Sequence, residues 1–499
     1  MKRVSLLLIS FLLLIVPLQV SAGTIGGKDD PGGVPGQWYV GDTPSYIDPN
    51  KAPVVFVHGF NSSSRTWWES NDMYQVALQN GYETAFVDVH PDKNMWDNGI
   101  LLASKLQEIY NYFGQKKLVV VAHSKGGIDT QNALIHQNAH PYVSNLITLS
   151  TPHYGSELAD LAYSSWAGWL AGIFGGRNDA TYSLQTGYMS QYRVQTDGHA
   201  NRSRNPIYTF GGTSWGSFGS SLYWGGLYLS SYGQNDGAVT VRSSRLPYSH
   251  EVRVSNWNHS SIREGRNTFH LFRPYLASSQ PSSFFSAYNE VSASSENLDI
   301  EPIHPATNMI LRGGEYNRNK KEHFVVENGT NHLSLDWLSD QKHQQLQIVS
   351  PSGKLYSNFA IYENDNIFKG AYHHTVTIDQ PEAGKWTVLA NETKAAYLMT
   401  VSIDSNVNDS LTFDYENLQV NRGKNIKALE MTVHLNNNGI QTTHSKKTMA
   451  QKEKLPITLS KAGVYNITID FKGKTANGDD FERTVVKSVY VDEKGNVIK

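Results

Sequence analysis

One serine stands in a sequence that could expose its hydroxyl for nucleophilic chemistry. Ser124 follows the apolar run Leu118–Ala122, and the residues two before and two after it are the small Ala122 and Gly126. An apolar run of this kind predicts a buried strand. Small residues at these two positions permit a tight strand-to-helix turn, which presents a serine hydroxyl to base and substrate together. We therefore predict a nucleophile elbow whose following helix directs its positive dipole end at Ser124.

A nucleophilic serine needs a general base and a carboxylate that orients that base. Asp236 lies in an Asn-Asp-Gly turn after the predicted strand 206–210, and His259 follows the predicted strand 251–254. Both therefore follow the serine at strand ends, which agrees with one known order along the chain, serine, then acid, then histidine. We predict that His259 takes the proton of Ser124 while Asp236 fixes the tautomer of His259. The alternatives are His250 and His270 for the base, and Asp88 and Asp160 for the acid.

Two backbone N–H groups are the predicted donors to the oxyanion that such chemistry creates. They belong to Lys125, directly after the nucleophile, and to Phe60, which follows a His-Gly pair after a short apolar strand. The Lys125 side chain is expected to point away from the serine hydroxyl, so we do not interpret it as a base. His58 and His123 flank the predicted cleft, and we interpret both as packing or supporting groups.

The elements that must position these residues alternate between apolar strands and helices. The helices are predicted at 67–80 and around 101–113. Strands are predicted at Val54–Val57, Thr84–Val87, Leu118–Ala122, Leu146–Leu149, Pro206–Phe210 and Glu251–Val254. This alternation predicts a parallel sheet with helices on both faces, and ligands bind at the carboxyl ends of such strands. Residues 23–50 are rich in Gly, Pro and Asp, which predicts irregular surface structure.

Composition divides the 499-residue chain into several units. Residues 1–22 have two basic residues, an apolar run and a small-residue cleavage site, the pattern of a secretory signal peptide. A catalytic domain of the α/β class is predicted over 23–279 and a linker rich in Ser, Pro and Asn over 280–304. Short alternating segments and turns then predict one or two β-sandwich domains, at 305–404 and 405–499.

Charge and cysteine content exclude several classes of partner. Lys plus Arg number 43 and Asp plus Glu 45, so the charge indicates neither a nucleic-acid partner nor binding to anionic lipid. With no cysteine, the chain has no disulfide and no thiolate chemistry. The N-terminal apolar run is shorter than the roughly 20 residues that span a bilayer. We expect an extracellular protein, released or held at the wall, that needs no cofactor; its oligomeric state stays open.

Residues 158–192 interrupt the regular pattern with aromatic and aliphatic side chains separated by glycines. One interpretation is a buried helical excursion. The other is a mobile apolar lid over an acyl-binding cleft, with glycines as hinges. The glycines are Gly168, Gly172, Gly175 and Gly176.

Residues of about 52–275 resemble the secreted bacterial lipases of the α/β-hydrolase superfamily. The matching segments are Val55–Phe60, the elbow with Ala122 in place of its first glycine, Thr151–Ser156, Asn235–Val239 and Asn258–His259. The resemblance implies carboxylic-ester hydrolysis with Ser124, Asp236 and His259 as the catalytic triad. Many of these lipases hold calcium through an aspartate two residues after the catalytic histidine. Ser261 occupies that position here, so no metal is carried over.

The leading hypothesis is a lipase that acts on acylglycerols through an acyl-enzyme. An elbow of this type also occurs in extracellular polyhydroxyalkanoate depolymerases, and exposed aromatics at Tyr223, Trp224 and Tyr228 would suit adsorption to a solid polyester. A more remote alternative is a non-catalytic surface-binding protein. We expect residues 305–499 to bind a surface or polymer. For Asp404, Asn406, Asn408 and Asp409 two interpretations stay open, a solvated linker and calcium ligation through oxygen.

Overall fold

The structure, a computed structural model, describes residues 23–24, 33–167, 177–277, 307–342, 345–364, 370–391, 394–414, 417–447 and 450–498. The predicted signal peptide (1–22) and linker (280–304) lie outside these residues. So do the four lid glycines, which are Gly168, Gly172, Gly175 and Gly176.

Within the described residues, eight strands form one sheet in the order β1-β2-β4-β3-β5-β6-β7-β8. They are β1 (Gly23–Thr24), β2 (Trp38–Val40), β3 (Val54–Val57), β4 (Thr84–Val87), β5 (Leu118–His123), β6 (Val143–Leu149), β7 (Ile207–Gly212) and β8 (His250–Ser255). Strands β3 to β8 pair parallel with one another, whereas β2 pairs antiparallel with β4. Every residue of β5 is buried, as its continuous apolar run predicts. The predicted α/β-hydrolase sheet is confirmed.

Helices lie on both faces of this sheet. They are α1 (Met73–Gln79), α2 (Met95–Tyr112), α3 (Lys125–Ile135), α4 (Glu157–Ala162), α5 (Asp179–Ser183), α6 (Thr186–Asp197), α7 (Ser221–Leu229), α8 (Val241–Ser244) and α9 (Gly265–Phe272). The prediction of one helix over 67–80 was wrong. A short 3₁₀ helix covers Ser64–Trp67, and α1 begins only at Met73, whose amide donates to the Asn71 side chain at 2.9 Å.

One other local prediction was also wrong, and one helix was not predicted. Residues 23–50 are not wholly irregular, because β2 pairs antiparallel with β4 and buries Trp38 and Tyr39. Helix α7 was not predicted, and it contains the pair Gly225 and Gly226, which lowers its intrinsic helix propensity. A Cβ on Gly225 would lie 2.1 Å from the Gly237 carbonyl oxygen, so the glycine permits the close approach of α7 to the turn that holds Asp236.

The C-terminal half consists of antiparallel sheets, as predicted. In the described residues the first unit has sheets ordered β10-β16-β12-β13 and β14-β15-β11-β17-β9. Its strands are β9 (Met309–Tyr316), β10 (Lys320–Val326), β11 (His332–Ser339), β12 (Leu346–Val349), β13 (Leu355–Tyr356), β14 (Ala360–Glu363), β15 (Tyr372–Asp379), β16 (Gly384–Ala390) and β17 (Ala395–Asp404). The side chains of Trp337 and Tyr397 stack in its core with centroids 4.2 Å apart.

The second unit has sheets ordered β18-β19-β22 and β21-β20-β23-β24-β25 within the described residues. Its strands are β18 (Leu411–Asp414), β19 (Gln419–Arg422), β20 (Ile426–Asn437), β21 (Ile440–Lys447), β22 (Lys452–Lys454), β23 (Gly463–Thr475), β24 (Asp480–Val491) and β25 (Val497–Ile498). In the turn before β18, the Asn408 side-chain oxygen accepts from Arg483 at 3.0 Å and Asp404 accepts from Asn331 at 3.3 Å. These oxygens therefore already have protein partners.

The C-terminal half packs directly against the catalytic half. Ser488 of β24 donates to the buried Asp160 carboxylate of α4 at 2.7 Å, and the Trp166 indole N–H donates to Asp470 of β23. A Cβ on Gly187 would lie 2.6 Å from the Val489 carbonyl carbon, so backbone meets backbone there. One apolar cluster also spans both halves. The two halves thus share a packed core.

None of the described helices combines the length and apolarity that crossing a membrane would require.

Candidate active site

The predicted elbow stands at the carboxyl end of the central strand. Ser124 links β5 directly to α3 and adopts φ +55° and ψ −133°, a conformation that few non-glycine residues take. A Cβ on Gly126 would lie 2.3 Å from the His58 carbonyl oxygen, and one on Gly59 would lie 2.7 Å from the Ser124 Cβ. The close contact of the β3 and β5 loops therefore requires glycine at both positions and holds the serine in its strained turn.

We expect Gly126→Ala to destabilise the fold by about 3 kcal/mol, because the added methyl group would overlap backbone that cannot move aside. The matched control is Gly198→Ala, where φ is −89° and the nearest atom to the new Cβ is 3.9 Å away. That change should alter the free energy of unfolding by less than about 1 kcal/mol. Urea unfolding of both variants measures the difference. Equal stabilities would contradict the described packing of the elbow.

Three side chains form one hydrogen-bonded row. His259 Nε2 lies 3.0 Å from Ser124 Oγ, and His259 Nδ1 lies 2.7 Å from Asp236 Oδ2. Asp236 is fully buried, and its other oxygen accepts the amides of Ala238 and Val239 at 3.0 and 2.7 Å. A carboxylate held in this way accepts only from a protonated Nδ1. The Nε2 atom is then free to accept the serine proton.

The alternatives from the sequence lie elsewhere. His270 is exposed on α9. His250 lies on β8, and its ring packs beside Tyr208 of β7. The Asp88 carboxylate accepts the amides of Gly33 and Ser64, and Asp160 accepts from Thr186 and Ser488. The structure brings none of the four to the serine.

His123 was interpreted from the sequence only as a packing or supporting group, and its ring lies against the histidine of the row. Its Nε2 donates to the His259 backbone carbonyl at 2.7 Å, and the two ring centroids are 4.7 Å apart. Burial holds the pKa of His123 well below its usual value, so the ring stays neutral and keeps this contact. Only its position, next to the serine, could have indicated this role.

His58 is likewise held neutral beneath the site. Its Nδ1 donates to the Gly59 carbonyl at 2.8 Å and its Nε2 accepts the Val89 amide at 3.1 Å, which fixes one tautomer. Burial lowers the pKa of His58, although Asp88 nearby opposes that shift. The ring thus ties the loop after β3 to the loop after β4.

The predicted oxyanion donors border the serine. Lys125 is the first residue of α3, where a backbone N–H has no acceptor within the helix. The Lys125 side chain turns away from the serine, and its ammonium pairs with the buried Asp129 carboxylate at 2.7 Å. Phe60 lies beside Ser124 in the wall of the same cavity. The arrangement can therefore direct two amides at one oxygen of a bound substrate.

A cavity of about 280 Å³ opens on the row. Its described lining residues all belong to the catalytic half, and the predicted lid segment contributes several of them. The lining residues from helices α4, α5 and α7 and their flanks are Ser156, Leu158, Ala159, Thr181, Leu184 and Leu222. An aliphatic wall beside a nucleophile suits an acyl chain.

A buried carboxyl on α4 creates a pH dependence of stability. Burial, followed by repulsion from Asp160, raises the pKa of Glu157 to about 7. The folded chain then holds a proton that the unfolded chain releases above its ordinary pKa of 4.5. The contribution to stability is complete below pH 4.5 and is lost as the pH rises to about 7, a change of at most about 3 kcal/mol.

Glu157→Gln should abolish this loss, because the amide stays neutral throughout. In urea unfolding at pH 5 and pH 8, the free energy of unfolding of the variant relative to the wild type should therefore be higher at pH 8 than at pH 5. The exposed Glu493→Gln serves as the control and should leave the pH dependence unchanged. A wild type that gains stability across this interval relative to Glu157→Gln would refute the assignment.

Comparisons with known proteins identify similar solved structures and one matching family model. The structure of Bacillus licheniformis lipase BlEst2 in its propeptide form is 41% identical, with a TM-score of 0.81 over 93% of this chain and 100% of that one. Its mature form is 56% identical over 49% of this chain and 100% of that one, with a TM-score of 0.47. Residues 48–163 match the family model of a PGAP1-like alpha/beta domain.

The chain belongs to the same lipase family of the α/β-hydrolase superfamily as BlEst2. This family consists of carboxylic-ester hydrolases, which confirms the enzyme class predicted from the five motifs. Triacylglycerol lipase 2 of Saccharomyces cerevisiae is 28% identical over 162 residues; the match spans 29% of this chain and 45% of the yeast protein.

Proposed function

We propose that the chain is a secreted serine hydrolase of carboxylic esters, a triacylglycerol lipase, with Ser124, His259 and Asp236 as its catalytic triad. The observation that carries the proposal is the continuous hydrogen-bonded row of these side chains, at 3.0 and 2.7 Å, on the floor of an acyl-sized cavity. The family of the chain supports the reaction class.

The proposed reaction has two halves. Ser124 Oγ attacks the ester carbonyl carbon while His259 Nε2 takes its proton, and the amides of Phe60 and Lys125 stabilise the oxyanion. The intermediate collapses to an acyl-enzyme, and His259 returns the proton to the leaving alcohol. Water then attacks the acyl-enzyme with His259 as base, which releases the fatty acid and restores Ser124.

A lipid substrate is favoured over a polyester. Leu158, Leu184 and Leu222 give the cavity an aliphatic wall, and both named relatives are lipases. The prediction that three aromatic side chains are exposed for adsorption to a polymer was wrong, because Trp224 and Tyr228 are buried and Tyr223 is half-buried. Movement of the lid segment 158–192 remains part of the proposal.

Hydrolysis of emulsified triolein and of amorphous polyhydroxybutyrate tests the choice. We expect release of fatty acid from triolein by the wild type and none by Ser124→Ala. Clearing of the polymer alone would establish the depolymerase. Failure to hydrolyse either substrate and to react with a fluorophosphonate would revive the non-catalytic surface-binding protein.

We also propose that residues 1–22 direct secretion and are removed after Ala22. Edman sequencing of protein from the culture medium of an expressing Bacillus host should begin at Gly23. Retention in the cells would contradict this proposal, and release only after digestion of the wall would indicate attachment there.

For the rest of the chain we keep the division into 23–279, 280–304, 305–404 and 405–499, and we propose that 305–499 is a removable pro-segment. The relative that matches 93% of this chain is a lipase in propeptide form. In this chain the C-terminal half covers α4 and α7, which also line the catalytic cavity. Removal would therefore free two walls of the site.

A protease site inserted within residues 280–304 tests this role. Cleavage should separate the halves on gel filtration and raise triolein hydrolysis more than hydrolysis of a soluble acetate ester. A released C-terminal half that instead adsorbs to triolein droplets or polymer would support the surface-binding role expected from the sequence. Unchanged activity after cleavage would reject the pro-segment.

A further inference from the structure

A second, smaller cavity lies behind one wall of the catalytic cavity. It has a volume of about 60 Å³ and lies between the catalytic half and the C-terminal half. Leu158 lines both cavities. On α7, Leu222 faces the catalytic cavity whereas its neighbour Ser221 lines the second one. A single layer of side chains therefore separates the two spaces.

The position of Leu158 in this layer depends on the glycine at position 225, which has no side chain. A Cβ placed on Gly225 would lie 3.3 Å from Leu158 Cδ1, so Leu158 packs directly on the bare backbone of α7. Gly225 itself lines the second cavity. On the other side of that backbone, Gly237 precedes Ala238, which lines the catalytic cavity. Leu158 is thus the side chain of this layer that packs on the backbone of α7 and lines both cavities.

The second cavity is apolar on the catalytic side. Leu161, Trp224 and Tyr228 join Leu158 there, and Leu338 and Leu398 approach from the C-terminal half. Apart from Ser221, its polar side chains belong to the C-terminal wall, where His373 Nδ1 donates to Asp336 at 2.8 Å. The catalytic side therefore offers an aliphatic and aromatic surface continuous with the wall of the active site.

We propose that, while residues 305–499 remain attached, Leu158 sets the acyl-chain length that the enzyme accepts, and that the second cavity, which the C-terminal half closes on one side, is the site for the distal methylenes of a longer fatty acyl chain. The inference rests on the proposed ester hydrolysis and adds to it the residue that limits the substrate. A chain bound against Ser124 meets Leu158 before it reaches the second cavity. Shortening Leu158 joins the two spaces without touching the catalytic row.

The experiment measures kcat/KM of the full chain for p-nitrophenyl esters from C4 to C16. Leu158→Ala should raise the ratio of C12 to C4 activity about tenfold, because each newly buried methylene is worth a factor of about four. Leu158→Phe should lower the same ratio. The matched control is Leu227→Ala, on α7 in the same apolar cluster but lining neither cavity, and it should leave the ratio unchanged.

A double variant tests whether the second cavity receives the chain. Thr400→Phe introduces a ring from the C-terminal wall. It should cancel the tenfold gain in the Leu158→Ala background and have no effect on C4 esters. If Leu158→Ala does not fold, Leu158→Val should give a smaller gain in the same direction.

The experiment distinguishes failure of the chain-length inference from failure of the proposed ester hydrolysis. Normal C4 turnover with an unchanged chain-length profile in Leu158→Ala, or a gain that Thr400→Phe leaves intact, would overturn the inference alone. Absence of C4 hydrolysis and of fluorophosphonate labelling in the wild type would overturn the proposed function.

Discussion

Replacement of Ser124 by alanine is expected to lower kcat for p-nitrophenyl butyrate by about 10⁶-fold, as loss of a serine nucleophile does in other enzymes. The methyl group cannot form the acyl-enzyme, and His259 Nε2, now 3.0 Å from the site of the missing oxygen, has no proton to take. Alanine removes only one atom from the elbow, so the fold should persist. Steady-state and single-turnover kinetics measure the loss.

The exposed Ser104→Ala on α2 is the control and should retain wild-type activity. Thermal unfolding of both variants checks that the elbow is intact. If Ser124→Ala keeps more than a tenth of the activity, another nucleophile performs the reaction and the assignment of the site is wrong.

Asp236→Asn should reduce kcat by about 10⁴-fold while leaving the fold in place. An asparagine oxygen can still accept the amides of Ala238 and Val239, so the turn keeps its shape. Its NH₂ group, however, would face His259 Nδ1 across the present 2.7 Å contact. The histidine must then hold its proton on Nε2, where it can no longer accept the proton of Ser124.

Asp160→Asn is the informative comparison, because the sequence alone left Asp160 as an alternative acid. Its carboxylate binds Thr186 and Ser488, so this change should weaken the contact with the C-terminal half and affect C4 ester hydrolysis only a few-fold. A large loss of kcat in Asp160→Asn together with near-normal kcat in Asp236→Asn would show that Asp160, not Asp236, is the acid that orients His259.

The sequence predicted well those elements whose pattern is local. Strands β3, β4 and β5 are short continuous apolar runs, and the structure buries every one of their residues. The small residues around Ser124 predicted the elbow, because only a tight turn needs them there. The order of Asp236 and His259 along the chain then indicated which of many carboxylates and histidines meet the serine.

Features that depend on distant parts of the chain escaped sequence analysis. Strand β2 forms because Trp38 and Tyr39 are buried beside β4, a contact that no local pattern reveals. Trp224 and Tyr228 look like exposed adsorption residues until the C-terminal half covers α7. The second cavity and the role of Leu158 arise only from that packing.

The central claim is that Ser124 is the nucleophile activated by the described row. The most direct measurement is reaction of the full chain with a fluorophosphonate, followed by mass spectrometry of its peptides. We expect one label per chain, on Ser124, formed rapidly by the wild type and at least about 10³-fold more slowly by His259→Ala. A label on another serine, or labelling that does not depend on His259, would show that Ser124 is not a nucleophile activated by His259.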